Sequence, residues 1–178
     1  MGTIIGVISD THGLLDPEVD VIFEKVDWII HAGDIGDGKV LEHLKTLAPL
    51  TAVAGNVDGF SLGDAGETAR VTLDGLRFFV THVIDRPNRL TREVTVALAS
   101  DPADVVIFGH SHLPHDERIG RALFFNPASA GPRRFDYPRA VGLIEIDGGV
   151  ARGRHVALDA ESEAALEKYM NALSHTRR

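Results

Sequence analysis

The sequence predicts a single α/β domain over residues 1–178, and three features carry that expectation. Apolar, β-rich runs alternate with amphipathic helical stretches through the first third. Asp-Gly turns later in the chain separate further apolar runs. Polar residues of metal-binding type stand just after the ends of those runs. Strand–helix alternation favours parallel pairing and closely spaced turns favour hairpins, so a two-layer or sandwiched α/β domain is expected.

Ile4–Ser9, Trp28–Ala32, Leu50–Ala54 and Val105–Gly109 carry Val and Ile at adjacent positions, as strands buried on both faces do. They are expected to be central and mostly parallel. Between the first two, Asp16-Pro17-Glu18 reads as a helix start, and Val19, Ile22, Phe23 and Val26 recur at helical spacing. Val40, Leu41, Leu44 and Leu47 repeat that pattern until Pro49 ends it. This order implies right-handed crossovers. Asp74-Gly75, flanked by 70–73 and 77–81, signals a hairpin. A third helix is expected over Leu90–Leu98, then strands at Ala122–Asn126, Val141–Ile146 and Arg152–Ala157, the last two joined at Asp147-Gly148-Gly149. The stretch from Asp159 to Leu173 sets Leu166, Tyr169, Met170 and Leu173 on one side of a helix, which is expected to pack on a sheet or a partner subunit.

At 178 residues and 44% apolar composition, such a domain can bury roughly 70% of its unfolded-chain surface. The chain has no cysteine, which removes disulfides and thiolate ligands together. No basic segment leads into an apolar stretch at the N-terminus, and no apolar run approaches the ~18 residues needed to cross a bilayer; a cytoplasmic, non-membrane protein is expected. A formal net charge of −8 opposes capture of nucleic-acid backbones by counterion release.

Seven residues follow apolar runs: Asp10 and His12 in SDTHG, Asp34 in HAGD, Asn56 in AGN, His82 in VTH, and His110 with His112 in FGHSH. They are expected to converge at the carboxyl ends of strands in one sheet. Residues two apart in extended chain face the same way, so each of the pairs 10/12 and 110/112 can aim at one point. With Asp34 bridging, seven side chains give four ligands to each of two ions, leaving positions for water and substrate. Imidazole, carboxylate and amide oxygen form a borderline set suited to manganese, iron, cobalt, nickel or zinc, among which geometry and supply select as much as affinity does. Two divalent ions are expected, Mn²⁺ first, with Fe, Zn, Co, Ni or Mg as alternatives.

The ordered blocks SDTHG, HAGD, AGNVD, TH, GHSH and NPAS, over about Ile4 to Arg133, resemble the calcineurin-like metallophosphoesterase superfamily, and within it the compact bacterial and archaeal phosphodiesterase branch. The resemblance implies a β-sandwich flanked by helices, often a homo-oligomer. It assigns a first ion to Asp10, His12, Asp34 and His112, and a second to Asp34, Asn56, His82 and His110. The implied reaction is hydrolysis of a small phosphodiester, or a phosphomonoester, by a hydroxide held at the dinuclear centre. By the same resemblance Asp34, Asn56 and His82 are expected to act by positioning metal and hydroxide, and Arg133 either to grip a phosphate oxygen or to stand as an exposed salt-bridging arginine. Three departures stand out: Val57 where larger relatives carry a histidine, and Val83 and Ala128 where many relatives carry glycine.

Each residue also has a plainer reading. Asp34 and Asn56 stand beside Gly33 and Gly55 as turn formers do, and a lone histidine such as His82 is often structural. Asp58 is expected to shape the turn or to orient a ligand, and His31 to support the site. His43, His155 and His175 are expected to face solvent, and His115 to be structural. Glycines 6, 33, 55 and 109 suit close backbone approach around a crowded site. Competing functions are a non-catalytic scaffold, as in the retromer subunit of this fold with its degraded ligand set, and a nuclease, which would need a basic track this chain does not advertise.

Overall fold

Two five-stranded sheets lie face to face between layers of helix. The computed structural model describes residues 2–59 and 65–176, with side chains up to residue 173. The chain runs β1 (Thr3–Ile8), α1 (Glu18–Ile22), β2 (Trp28–His31), α2 (Gly38–Leu47), β3 (Leu50–Ala52), β4 (Thr68–Leu73), β5 (Leu76–Thr81), β6 (Asp85–Arg86), β7 (Arg89–Leu90), α3 (Arg92–Ser100), β8 (Val105–Ile107), β9 (Pro114–Ile119), β10 (Ala122–Pro127), β11 (Ala140–Asp147), β12 (Val150–Ala157) and α4 (Ala160–Thr176).

The first sheet has order β12-β11-β1-β2-β3 and the second β4-β5-β8-β10-β9. β1, β2 and β3 pair in parallel, as do β5, β8 and β10. The antiparallel strands β11, β12, β4 and β9 lie to the sides. Strand alternation sends Ile5, Val7 and Ile30 from one sheet, and Phe78, Val80, Ile107 and Phe125 from the other, into a shared core. The outer face of the first sheet takes α1 and α2 through Ile29, Phe23, Leu41 and Leu44. That of the second takes α3 through Phe79, Val106, Phe124 and Val94. α4 packs along β12, with Leu166, Tyr169, Met170 and Leu173 on its half-buried side.

Both expected hairpins form. At Asp74-Gly75 and at Gly148-Gly149 the two loop residues have positive φ, and the flanking pairs Leu73↔Leu76 and Asp147↔Val150 close the turns. Other expectations need correction. The Val105 strand lies in the second sheet, not beside β1–β3, and β3 is an edge strand. α1 is a single turn preceded by Pro17, while Asp16 accepts the Glu18 N–H from outside it. Leu90 belongs to β7; α3 starts at Arg92, capped by the Thr91 hydroxyl. β9, sequence PHDERI, has no apolar alternation because it is an edge strand whose charges discourage further pairing.

Candidate metal centre

Five parallel strands deliver the seven expected residues to one place, from two sheets rather than one. Asp10 and His12 follow β1, Asp34 follows β2 and Asn56 follows β3, all in the first sheet; His82 follows β5, and His110 and His112 follow β8, in the second. The centre therefore straddles the rim of the sandwich, where the carboxyl ends of both parallel sets meet.

The backbone turns sharply there. Asp10, His12, Asp34, His110 and His112 all have positive φ, between 49° and 68°. Asp and His tolerate the left-handed region better than most residues, yet each such residue still costs of order 1 kcal/mol. Five strained residues held together by surrounding packing mark a functional constellation.

Asp10, His12, Asp34 and His112 place one ligand atom each within 4.8 Å of one another. His112 Nε2 lies 3.1 Å from Asp10 Oδ1 and His12 Nε2 lies 3.8 Å from Asp34 Oδ2. On the other side of Asp34, His82 Nε2 is 3.3 Å from Oδ1, and His110 Nδ1 is 3.0 Å from Asn56 Oδ1. The structure thus brings all seven together, with Asp34 in the middle.

Asp10 Oδ1 and His82 Nε2 are buried and 4.0 Å apart, and neither makes a well-aligned hydrogen bond, their nearest polar neighbours being other members of the cluster, His112 Nε2 at 3.1 Å and Asp34 Oδ1 at 3.3 Å. Their opposite atoms are committed: Asp10 Oδ2 accepts from Ser9 Oγ and His110 N, and His82 Nδ1 donates to Ala32 O at 2.7 Å. Burying unpaired polar atoms costs about 1–3 kcal/mol each, and a cation accepting both lone pairs removes that cost. This hard and borderline donor set of carboxylate and imidazole fits a divalent metal ion.

Electrostatics agree. Burial alone would raise the Asp34 carboxyl, but the His82 imidazole 3.3 Å away and the hydrogen bond from the Val57 N–H outweigh it and hold Asp34 at about 2, ionised at any working pH. Burial disfavours the His82 imidazolium, yet contact with Asp34 and the field of Asp10 carry it above the ordinary histidine range. His12 titrates lower, through burial and the neighbouring Arg134 guanidinium.

A supporting layer fixes the loops. Asp58 does what its position suggested: Oδ2 accepts from Ile35 N and Gly55 N, and Oδ1 from Gly36 N. Fully buried His31 accepts from Gly33 N through Nδ1, so its Nε2 donates to Thr11 Oγ1, which in turn donates to Ile35 O. Burial lowers His31 to about 4 and keeps it neutral. In the NPAS block, Asn126 donates to Gly109 O and accepts from Ala128 N, while Ser129 Oγ donates to Asp10 O. Gly55 and Gly109 are required by space: a Cβ would strike Asp34 at the first, Ser9 and Asp10 at the second. Gly6 instead makes room for the Phe23 ring, away from the centre.

Arg133 is held elsewhere. Its Nη2 donates to Asp159 at 2.8 and 3.0 Å and to Ser162 at 3.1 Å, with Glu161 at 3.6 Å. Arg134 is the arginine that reaches the cluster, its Nη2 3.4 Å from His12 Nε2. His43 pairs with Asp20 at the surface, as expected. His155 does not face solvent: it stacks on Phe125 with centroids 4.7 Å apart, and its Nε2 donates to Asn126 O. The His175 side chain lies outside the described residues.

Fold and candidate centre are those of the metallophosphoesterase family. The chain belongs to the calcineurin-like phosphoesterase superfamily, whose domain matches residues 4–149. It is 31% identical to a probable metallophosphoesterase of Methanothermobacter thermautotrophicus over 82% of this chain and 87% of that one. It is 32% identical to a phosphodiesterase of Methanocaldococcus jannaschii over 80% and 93%. Among solved structures, an archaeal phosphodiesterase superposes with TM-score 0.70 at 27% identity, covering 87% of this chain and 99% of that one. Vacuolar protein sorting 29 from Cryptosporidium parvum shares the fold with TM-score 0.71 at 17% identity, over 87% and 97%.

Proposed function

We propose that this protein is a metal-dependent hydrolase of phosphodiester bonds in small molecules. The observation that carries the reading is the facing pair of buried, unsatisfied atoms, Asp10 Oδ1 and His82 Nε2, at the centre of a strained ligand cluster. Two divalent ions, with Mn²⁺ preferred, would be held by Asp10, His12, Asp34 and His112, and by Asp34, Asn56, His82 and His110. When bound, they supply Lewis acidity and make water nucleophilic near neutral pH.

The chain's own residues do the rest. Asp34, Asn56 and His82 position the reacting groups between the two halves of the cluster. Asp10 and Asp34 return only two negative charges against four positive ones, so the loaded centre is locally cationic within an acidic chain and attracts phosphate. Arg134, beside His12, adds a guanidinium suited to a phosphate oxygen.

A scaffold role without catalysis, the alternative the fold allows, would leave no reason to retain unsatisfied ligands and five left-handed backbones at one rim. A small ester is preferred over a nucleic-acid strand because the chain carries a net charge of −8. The test combines elemental analysis of the purified protein with hydrolysis of bis(p-nitrophenyl) phosphate before and after chelation. Stoichiometric metal, and activity lost on chelation and restored by Mn²⁺, is expected. Full turnover after thorough chelation, or with His112→Ala, sinks the reading.

A further inference from the structure

We propose, resting on the phosphodiester reading above, that the centre is a two-armed substrate site in which the diester straddles Val83 with one ester group in each of two cavities. The first cavity, 330 Å³, runs between α3 and the outer face of the second sheet and reaches the centre at Asn56 and His82. The second, 350 Å³, lies between the segment 84–87 and Tyr169 of α4, and reaches the centre at His110. Both are large enough for a small organic group. Val83 lines both, and the ligands at the two mouths touch: the His82 and His110 rings are 5.2 Å apart, and His110 Nδ1 is 3.0 Å from Asn56 Oδ1. A phosphorus atom held at these ligands has an opening on either side, which a diester fills and a monoester does not.

The lining assigns chemistry to the first arm. Phe79, Val94 and Ala97 give an apolar floor, Thr68 and Thr91 give hydroxyls, and Glu67 and Glu93 are acidic. Among the described residues no lysine or arginine lines it, and Arg70, whose guanidinium lies over the Phe79 ring and donates to Ala97 O, is paired with Asp101. The cavity takes an uncharged group, part apolar and part hydroxylated, as a nucleoside is; a second phosphate meets like charge. The second cavity, lined by Phe108, Leu113 and Pro114 with Arg86 beside Asp85, takes the apolar group on the other ester oxygen. In the reaction water adds to phosphorus, one P–O ester bond breaks, and the departing oxygen leaves as the alcohol.

The test uses the full chain loaded with Mn²⁺ and reads nitrophenolate release from three esters: thymidine 5′-(p-nitrophenyl) phosphate, the same compound carrying a 3′-phosphate, and methyl p-nitrophenyl phosphate. Ala97→Phe fills the first cavity. It is expected to raise KM at least tenfold for the thymidine ester and less than twofold for the methyl ester, whose single large group can use the other cavity. The 3′-phosphate is expected to raise the wild-type KM at least tenfold, and the surface change Glu93→Lys to recover threefold or more of that loss. Equal responses of the thymidine and methyl esters to Ala97→Phe, or no recovery by Glu93→Lys, overturn the two-armed site alone. Failure of the wild type to hydrolyse any ester overturns the phosphodiester reading, and this one with it.

Discussion

His82 donates its Nδ1–H to the carbonyl oxygen of Ala32 across 2.7 Å, a bond that joins the end of β5 in one sheet to the end of β2 in the other. It latches the two halves of the sandwich at the metal centre and fixes the tautomer, so the opposite nitrogen must face Asp34 and Asp10.

Metal binding should therefore be proton-linked. Burial disfavours the His82 imidazolium, but contact with Asp34 and the charge of Asp10 outweigh it and raise the His82 pKa, so a proton competes with the metal ion for Nε2 at higher pH than at a free histidine. Below that pKa, Mn²⁺ affinity should fall by about tenfold per pH unit. Calorimetric titration with Mn²⁺ in buffers of different ionisation enthalpy should show proton release that grows as pH falls toward that pKa, and none from this site in His82→Gln, which should also bind more than tenfold more weakly.

Asp58 should matter to the centre without touching it. Its carboxylate accepts three backbone N–H groups, from Ile35, Gly36 and Gly55, on the two loops that carry Asp34 and Asn56. Asp58→Ala strips all three, and a loss of about 2–3 kcal/mol by urea unfolding is expected, with metal affinity down 10–100-fold as for other groups that orient ligands. Asp58→Asn retains acceptor capacity at one oxygen and should fall between.

What the sequence disclosed follows from where information is local. Apolar runs and Asp-Gly turns marked most strands because burial and turn chemistry are written in adjacent residues. The seven candidate ligands are legible because each directly follows such a run. Assignment of Val105–Ile107 to the second sheet was not, since periodicity records that a strand is buried and not which neighbour buries it. The adjacent residues Arg133 and Arg134 part company because Asp159 and Ser162, far along the chain, capture the first. His155 reads from the sequence as a solvent-facing residue; only the Phe125 ring stacked on it shows otherwise.

Ala128 sits at φ 76° and is fully buried, with its N–H held by Asn126, at a position where many relatives carry glycine. The left-handed conformation costs alanine roughly 1–2 kcal/mol, and glycine removes that cost while losing about 0.4–1 kcal/mol through a more flexible unfolded chain. Ala128→Gly should stabilise the protein by about 0.5 kcal/mol in urea unfolding. A clear destabilisation would mean that the buried methyl contributes more than the backbone loses.

Acid should weaken the metal-free fold in a defined window. Burial lowers His31 to about 4, and burial of His155, against its bond to Asn126, does the same. Both are depressed below the ordinary 6.5, so the unfolded chain takes up protons first as pH falls. The stability from their neutrality is complete above about 6.5, is lost between 6.5 and 4, and levels off below. Each group contributes a slope of at most about 1.4 kcal/mol per pH unit in that window. Urea unfolding of chelated protein at pH 7, 6, 5 and 4 should show the decline, and His155→Gln should roughly halve it.

Neighbouring arginines should separate binding from stability. Arg134 Nη2 stands 3.4 Å from His12 Nε2, and metal occupancy at that nitrogen would release the guanidinium toward a phosphate oxygen. Arg134→Ala should then raise KM for bis(p-nitrophenyl) phosphate by about tenfold, the equivalent of one charge-assisted contact of about 1.4 kcal/mol, with a smaller change in kcat and no loss of bound metal. Arg133 is tied to Asp159 and Ser162 at 29% side-chain exposure, so Arg133→Ala should leave KM unchanged and cost no more than about 1 kcal/mol of stability. Steady-state kinetics with urea unfolding on both variants decide the matter. A KM effect from Arg133→Ala with none from Arg134→Ala would return the phosphate grip to residue 133 and require its bond to Asp159 to open when substrate binds.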